Sequence, residues 1–113
     1  MKKFMKLGII CASDDELSPF LQIIEDYKVI EKAMLKFYEG TICGMEAVAL
    51  FSGVCKVNAA IASQILIDGF GVNIIINSGV AGGMDLKLQI FDTVISTESY
   101  YHDVAEKSLM YAM

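Results

Sequence analysis

Glu16 stands a few residues past a short apolar run, Leu7–Cys11 (LGIIC). If that run is a strand of an open α/β sheet, the carboxylate lies just beyond its carboxyl end, where such sheets bind their ligands. A carboxylate in that position can orient a water and stabilise a developing positive charge. Asp14 and Asp15 beside it read as acids of a helix start, where the macrodipole favours negative charge, and the same plain reading stays open for Glu16. The second candidate is Val72–Gly83 (VNIIINSGVAGG), an apolar run that passes straight into a turn carrying Gly79, Gly82 and Gly83. Glycines let a backbone approach a ligand closely because no Cβ intervenes. A tight connection with no ligand explains the same residues.

Phosphate chemistry fits poorly. Gly79-Val80-Ala81-Gly82-Gly83 is not the GxGxxG of a dinucleotide fold, and no helix obviously starts after it. Ser52-Gly53-Val54-Cys55-Lys56 lacks the spacing of a P-loop. Cys11 and Cys55 have no base nearby in sequence, so neither is assigned as a nucleophile. The single histidine, His102, sits in Tyr101-His102-Asp103 and reads as structural or surface-exposed. Tyr100 and Tyr101 suit a core or an interface equally. Without HExxH or a Cys/His cluster, neither a metal nor a cofactor is expected.

The elements that must hold these residues follow from periodicity. Leu7–Cys11 is a buried strand. Leu17, Phe20, Leu21 and Ile24 then fall at helical spacing, with Ser13 or Asp14 as the cap and Pro19 tolerable near the start. Strands are expected around Lys28–Glu31, Leu35–Ile42 and Glu46–Phe51, the last two joined by a Cys43-Gly44 hairpin turn. A helix is expected over Lys56–Asp68, with Val57, Ala60, Ile61, Gln64, Ile65 and Leu66 near one stripe and Gly69 as its stop. Its small residues would let it lie close to a sheet. The strand in Val72–Gly83 then closes a strand–helix–strand unit with parallel strands. Thr93–Ser96 is a further strand, extending towards Glu98–Tyr101, and Asp103–Met113 a weak final helix.

The totals bound the class. A length of 113 residues suits one domain. The chain is 55% hydrophobic with a mean hydropathy of +0.51, yet holds no uninterrupted apolar run of the roughly 18 residues that a membrane helix needs. Net charge is −5 and no basic patch interleaves with aromatics, so neither nucleic acid nor membrane is an expected partner. The apolar stretch after Lys6 is too short for a signal peptide, and three unpaired-looking cysteines suit a reducing compartment; the expected location is cytoplasmic. Five or six strands meet only two clear helices, so the sheet is short of cover. The expected class is α/β, with a mixed, largely parallel central sheet flanked by helices. Residues 1–113 form a single partial domain whose apolar surplus favours self-association.

Several segments in register carry a resemblance. LGIICASDDE (Leu7–Glu16) is similar to GIIGAMEEE, and VALFSGVCKVNAA (Val48–Ala60) to VAL-x-x-SGIGKVNAA. With Gly40–Gly44, IIINSGVAGG (Ile74–Gly83), DTVIS (Asp92–Ser96) and Tyr101-His102-Asp103, they resemble the nucleoside phosphorylase/nucleosidase superfamily. Within it the chain looks like the amino-terminal half of the 5′-methylthioadenosine/S-adenosylhomocysteine nucleosidases. The resemblance implies a nucleoside phosphorylase-like fold, here incomplete, and hydrolysis of a purine nucleoside's N-glycosidic bond, giving adenine and a thioribose. It implies that Glu16 activates the attacking water and that Val54, Val80, Ala81 and Gly82 line the pocket. It also implies a purine nucleoside substrate and a homodimer.

Hydrolysis is favoured over phosphorolysis, since the acidic loop repels phosphate and the chain has no arginine. Cys11, Ser13 and Cys55 replace the family's usual glycine, methionine and glycine, and Phe91 replaces the glycine before the matching aspartate. The half that carries the family's ribose-binding Met-Glu pair and its acid for the leaving base has no counterpart here. The chain alone is therefore expected to be inactive or nearly so. Futalosine hydrolase, a phosphorylase, a non-catalytic nucleoside-binding module and a self-associating remnant are the alternatives.

Overall fold

A computed structural model describes residues 5–101, and the chain divides after Ala81 into two compact units. His102, Asp103 and the expected final helix lie outside the described residues. The first unit runs β1 (Lys6–Cys11), α1 (Asp14–Leu21), β2 (Glu25–Lys32), β3 (Leu35–Ile42), β4 (Met45–Phe51), α2 (Lys56–Phe70) and β5 (Ile74–Asn77). They form one sheet in the order β2-β3-β4-β1-β5. β1 pairs in parallel with β4 on one side and β5 on the other. β2–β3 and β3–β4 are antiparallel, making the sheet mixed.

The apolar run of β1 is continuous because both of its faces are covered. Ile10 points to the α2 side, where Val48, Leu50 and Phe37 pack with Ala62, Leu66 and Phe70. Ile9 and Cys11 point the other way, against Leu17, Ile24 and Ala49. A helix on each side of β1 and β4 thus fixes the centre of the sheet. Gly8 governs how closely α2 approaches: a Cβ there would stand 3.0 Å from Leu66 Cδ1 and 3.2 Å from Val72 Cγ2.

Local chemistry places the ends. Ser13 caps α1 in a full capping box with Glu16, and Pro19 sits two residues before the helix stops. The Cys43-Gly44 turn has positive φ at both residues (50° and 79°), as a two-residue hairpin requires. The β2–β3 turn does the same at Ala33 and Met34 (51° and 65°) with no glycine to announce it.

Three expectations are corrected. α2 runs past Gly69 to Phe70 and ends on Gly71, whose left-handed backbone (φ 69°) caps it. Its buried face is Ala62, Leu66 and Phe70; Val57 (71% exposed) and Ile61 (44%) face outward. Periodicity found the helix but not its rotation, because apolar residues stand on more than one side of it. Thr93–Ser96 and Glu98–Tyr101 are not strands. In the second unit, residues 82–101 form turns held by Asp85, whose Oδ1 accepts from the Lys87 N–H, and Asp92, whose Oδ2 accepts from the Gln89 N–H (both 2.8 Å). A strand exists by pairing, and among the described residues no strand pairs with these segments. No described helix is long and apolar enough to cross a membrane.

Leu66 is fully buried between α2 and Gly8. Leu66→Ala is expected to lower the unfolding free energy by about 3 kcal/mol, read as a lower urea midpoint at unchanged slope.

Candidate active site

β1 lies between β4 and β5, so the loops after these three parallel strands meet at one edge of the sheet. Backbone bonds bind them to β1: the Ser52 N–H donates to Cys11 O and the Ser78 N–H to Ile10 O, both at 2.9 Å. The buried Ser52 hydroxyl donates to Gly53 O at 2.9 Å.

Glu16 joins two of these loops with one carboxylate. Oε1 accepts from the backbone N–H groups of Ala12 (3.0 Å) and Ser13 (3.1 Å) after β1. Oε2 accepts from the Val80 N–H (2.7 Å) after β5. A Cβ built on Gly79 would overlap Oε2, so the absence of a side chain there admits the carboxylate. Ser13 Oγ in turn accepts from the Glu16 N–H at 3.3 Å. Glu16 is thus both the third residue of a helix cap and the link between the loops.

These bonds set its charge. The Val80 N–H, followed by those of Ala12 and Ser13, holds the half-buried Glu16 carboxyl below its ordinary value of 4.5, against an opposing effect of desolvation. The Ser13 side chain adds a further hydrogen bond that lowers it, so the carboxylate's acceptor positions are engaged by the loops on both sides. The lowered basicity makes this group better at orienting a water and facing positive charge than at keeping a proton.

Cys11 lies buried beside it. Burial, and next the Glu16 charge, pushes its thiol up to about 11, and the S–H donates to Glu16 O at 3.6 Å.

Val54 lies in the loop after β4 and is 67% exposed; Val80 and Ala81, after β5, are exposed too. Gly82 begins the second unit, which also contains Tyr100 and Tyr101. Of the five expected site residues, then, the structure joins Glu16 to Val80 by a direct bond. Residue-by-residue reading missed Gly79 as the seat of the carboxylate, Ser13 as its brace and the Ala12 N–H as a donor. The capping-box spacing from Ser13 to Glu16 was the available signal.

The loop after β4 carries strain. Cys55, before α2, has φ 85° and ψ 162°, a region held almost only by glycine. At the opposite, amino-terminal end of β1, a cavity of about 280 Å³ is lined by Lys6, Glu25, Glu39 and Glu46. There Lys6 Nζ donates to Glu39 Oε2 at 2.8 Å, which lowers the Glu39 pKa.

The family model of the phosphorylase superfamily matches residues 6–112. The 5′-methylthioadenosine/S-adenosylhomocysteine nucleosidase of Staphylococcus carnosus is 41% identical over 107 residues, covering 95% of this chain and 47% of that protein. The crystal structure of the corresponding nucleosidase from Colwellia psychrerythraea, in complex with adenine, is 40% identical with a TM-score of 0.89. That match covers 95% of this chain and 44% of the other. The S-adenosylhomocysteine nucleosidase of Streptococcus pyogenes in complex with 5-methylthiotubericidin is 34% identical with a TM-score of 0.91, covering 97% and 47%. This chain spans under half the length of each of these relatives.

Two outcomes follow from the site's geometry. Because the folded-state pKa of Glu16 lies below the unfolded one, its contribution to stability is complete above the unfolded value. It is lost as pH falls through the folded value. Glu16→Gln is therefore expected to be less stable than the parent at pH 7, by a margin that narrows below about pH 4.5 in urea titrations across pH. Cys55→Gly should raise stability by about 1 kcal/mol, the relieved strain exceeding glycine's extra unfolded-state entropy. Its denaturation midpoint measures this.

Proposed function

The chain belongs to the phosphorylase superfamily, and from that membership we propose that its sheet edge is the water-side half of a purine nucleosidase site. The observation that carries this reading is the Glu16 carboxylate, held anionic by three backbone N–H groups at the carboxyl edge of parallel strands. The reaction is hydrolysis of 5′-methylthioadenosine or S-adenosylhomocysteine. The glycosidic bond breaks with its electron pair on the purine, and C1′ of the ribose becomes oxocarbenium-like. A water held by Glu16 adds its oxygen to C1′ and gives up a proton, while the departing base takes one up. On this reading Val54, Val80 and Ala81, in the loops after β4 and β5, are pocket-lining residues. The names of the similar nucleosidases, one of them in complex with adenine, support this substrate class.

Hydrolysis is preferred to phosphorolysis on charge. Asp14, Asp15 and Glu16 stand together in the first turn of α1, and the chain contains no arginine to hold phosphate. The resemblance puts the general acid and the ribose-binding pair outside the matched half. Residues 1–113 are accordingly read as one partial domain, inactive or nearly so alone. The resemblance further supports a cytoplasmic homodimer serving methionine salvage, and Val57 and Ile61 on α2 offer an apolar stripe for a second copy.

A chimera tests the site itself. Residues 1–113 fused to the part of the S. carnosus nucleosidase beyond the match should release adenine from methylthioadenosine. Glu16→Gln in that chimera should lower kcat by about 100-fold or more. A folded chimera without hydrolysis, or one indifferent to Glu16→Gln, contradicts the assignment. The unfused chain should release no adenine above the uncatalysed rate in the same assay.

A further inference from the structure

Among the described residues, Ala12, Ser13 and Val80 hold the Glu16 carboxylate, and they do so in different ways. Ala12 and Val80 each give a backbone N–H, at 3.0 and 2.7 Å. Any residue but proline supplies such a donor, so these bonds do not depend on the side chain that stands there. Ser13 is bound to Glu16 more closely. Its N–H donates to Oε1 at 3.1 Å, and its Oγ accepts from the Glu16 N–H at 3.3 Å. Its side chain adds a hydrogen bond that lowers the Glu16 pKa. The Ser13 hydroxyl is thus the one side-chain group among the described residues that bonds the carboxylate.

A glutamate near the start of a helix is ordinarily a mobile surface group, and fixing its torsions costs conformational freedom. A capping box by itself turns the carboxylate back on its own helix. Here Oε1 stays on the cap while Oε2 leaves the helix, passes over Gly79 and meets the Val80 N–H 64 positions on. The Glu16 backbone is held too, its N–H by Ser13 Oγ and its O by the Cys11 S–H at 3.6 Å. Ser13 itself is extended (φ −136°, ψ 163°), the conformation in which a cap hydroxyl faces the third helical N–H. The bonds at the cap therefore decide where the carboxylate points. Its titratable neighbours are Asp14 and Asp15 on the same helix and the Cys11 thiol on β1; Ser78–Ala81, after β5, brings none.

We propose that Ser13 is a positioning residue whose hydroxyl aims the Glu16 carboxylate across Gly79 at the loop after β5, beyond its service as the cap of α1. The catalytic consequence rests on the proposed hydrolysis, whereas the positioning is read without substrate. A hydroxyl that only capped the helix would add stability and leave the orientation and charge of the carboxylate alone.

Threonine and glycine cap helices about equally well, but only threonine keeps the hydroxyl, so this pair separates the two roles. In the 113-residue chain, carbon-13 NMR follows the Glu16 carboxyl across pH and proton NMR follows the Val80 amide. Ser13→Gly is expected to raise the Glu16 pKa towards its ordinary 4.5 and to shift the Val80 amide, while Ser13→Thr keeps both at their parent values. Leu66→Ala, which loosens the core at α2, should change neither. In the chimera with the S. carnosus fragment, Ser13→Gly should lower kcat about tenfold with KM within about twofold of the parent, and Ser13→Thr should restore kcat. Ser13→Ala also removes the hydroxyl and stands in if Ser13→Gly does not fold. Parent values of the Glu16 pKa and the Val80 amide without the hydroxyl overturn the proposal, as does a Ser13→Thr that shifts them as far as Ser13→Gly. An active chimera whose kcat is indifferent to Ser13→Gly overturns it too. An inactive chimera, beside a Glu16 pKa that depends on the hydroxyl, rejects the hydrolysis and sustains the positioning.

Discussion

One carboxylate holds the loops at the carboxyl ends of β1 and β5 together. Glu16 accepts from Ala12 and Ser13 with one oxygen and from Val80 with the other, so the loops after β1 and β5 share an anion. Charge-assisted bonds of this kind are stronger than neutral ones, and here the acceptor also completes the cap of α1. Structural and chemical roles coincide: the donors that fix the side chain are the same ones that keep it ionised. The arrangement favours an electrostatic contribution over proton storage, because donors that lower a pKa also lower basicity.

The environment of Glu16 depends on residues with no chemistry of their own. Gly79 matters as an absence of side chain under Oε2. Ser13 contributes a hydroxyl that accepts from the helix's own N–H. Cys11 sits beside Glu16 as a buried thiol whose pKa is raised. Cys55 and Phe91 are placed at a local cost. The backbone holds φ of 85° and 72° at these two residues, so each side chain sits in a conformation that disfavours it. The fold is held at these points by its neighbours and not by local preference.

Much of the architecture was legible along the chain because its causes are local. A buried strand reads as an unbroken apolar run, and a capped helix as Ser13 followed three residues later by Glu16. The turn at Cys43-Gly44 was visible through its glycine, while its counterpart at Ala33-Met34 was not, since neither residue type prefers a positive φ. The outward stripe of α2 shows the same limit: composition revealed a helix, but which side is buried depends on where Gly8 lets it settle. Thr93–Ser96 has the residues of a strand and none of the pairing, and pairing is never a property of one segment.

The sequence by itself determined the elements, the acidic helix start and the glycine turn after an apolar strand, because each arises within a few neighbouring residues. Only the tertiary structure decided that β1 lies between β4 and β5. That order brings the Val80 N–H onto a carboxylate 64 positions earlier in the chain. Strand order is settled by packing of helices on both faces of the sheet and by hydrogen bonds between distant segments, which no local pattern encodes. The same order leaves Ile74, Ile75 and Ile76 at an edge, a fact that turns an ordinary apolar run into a surface.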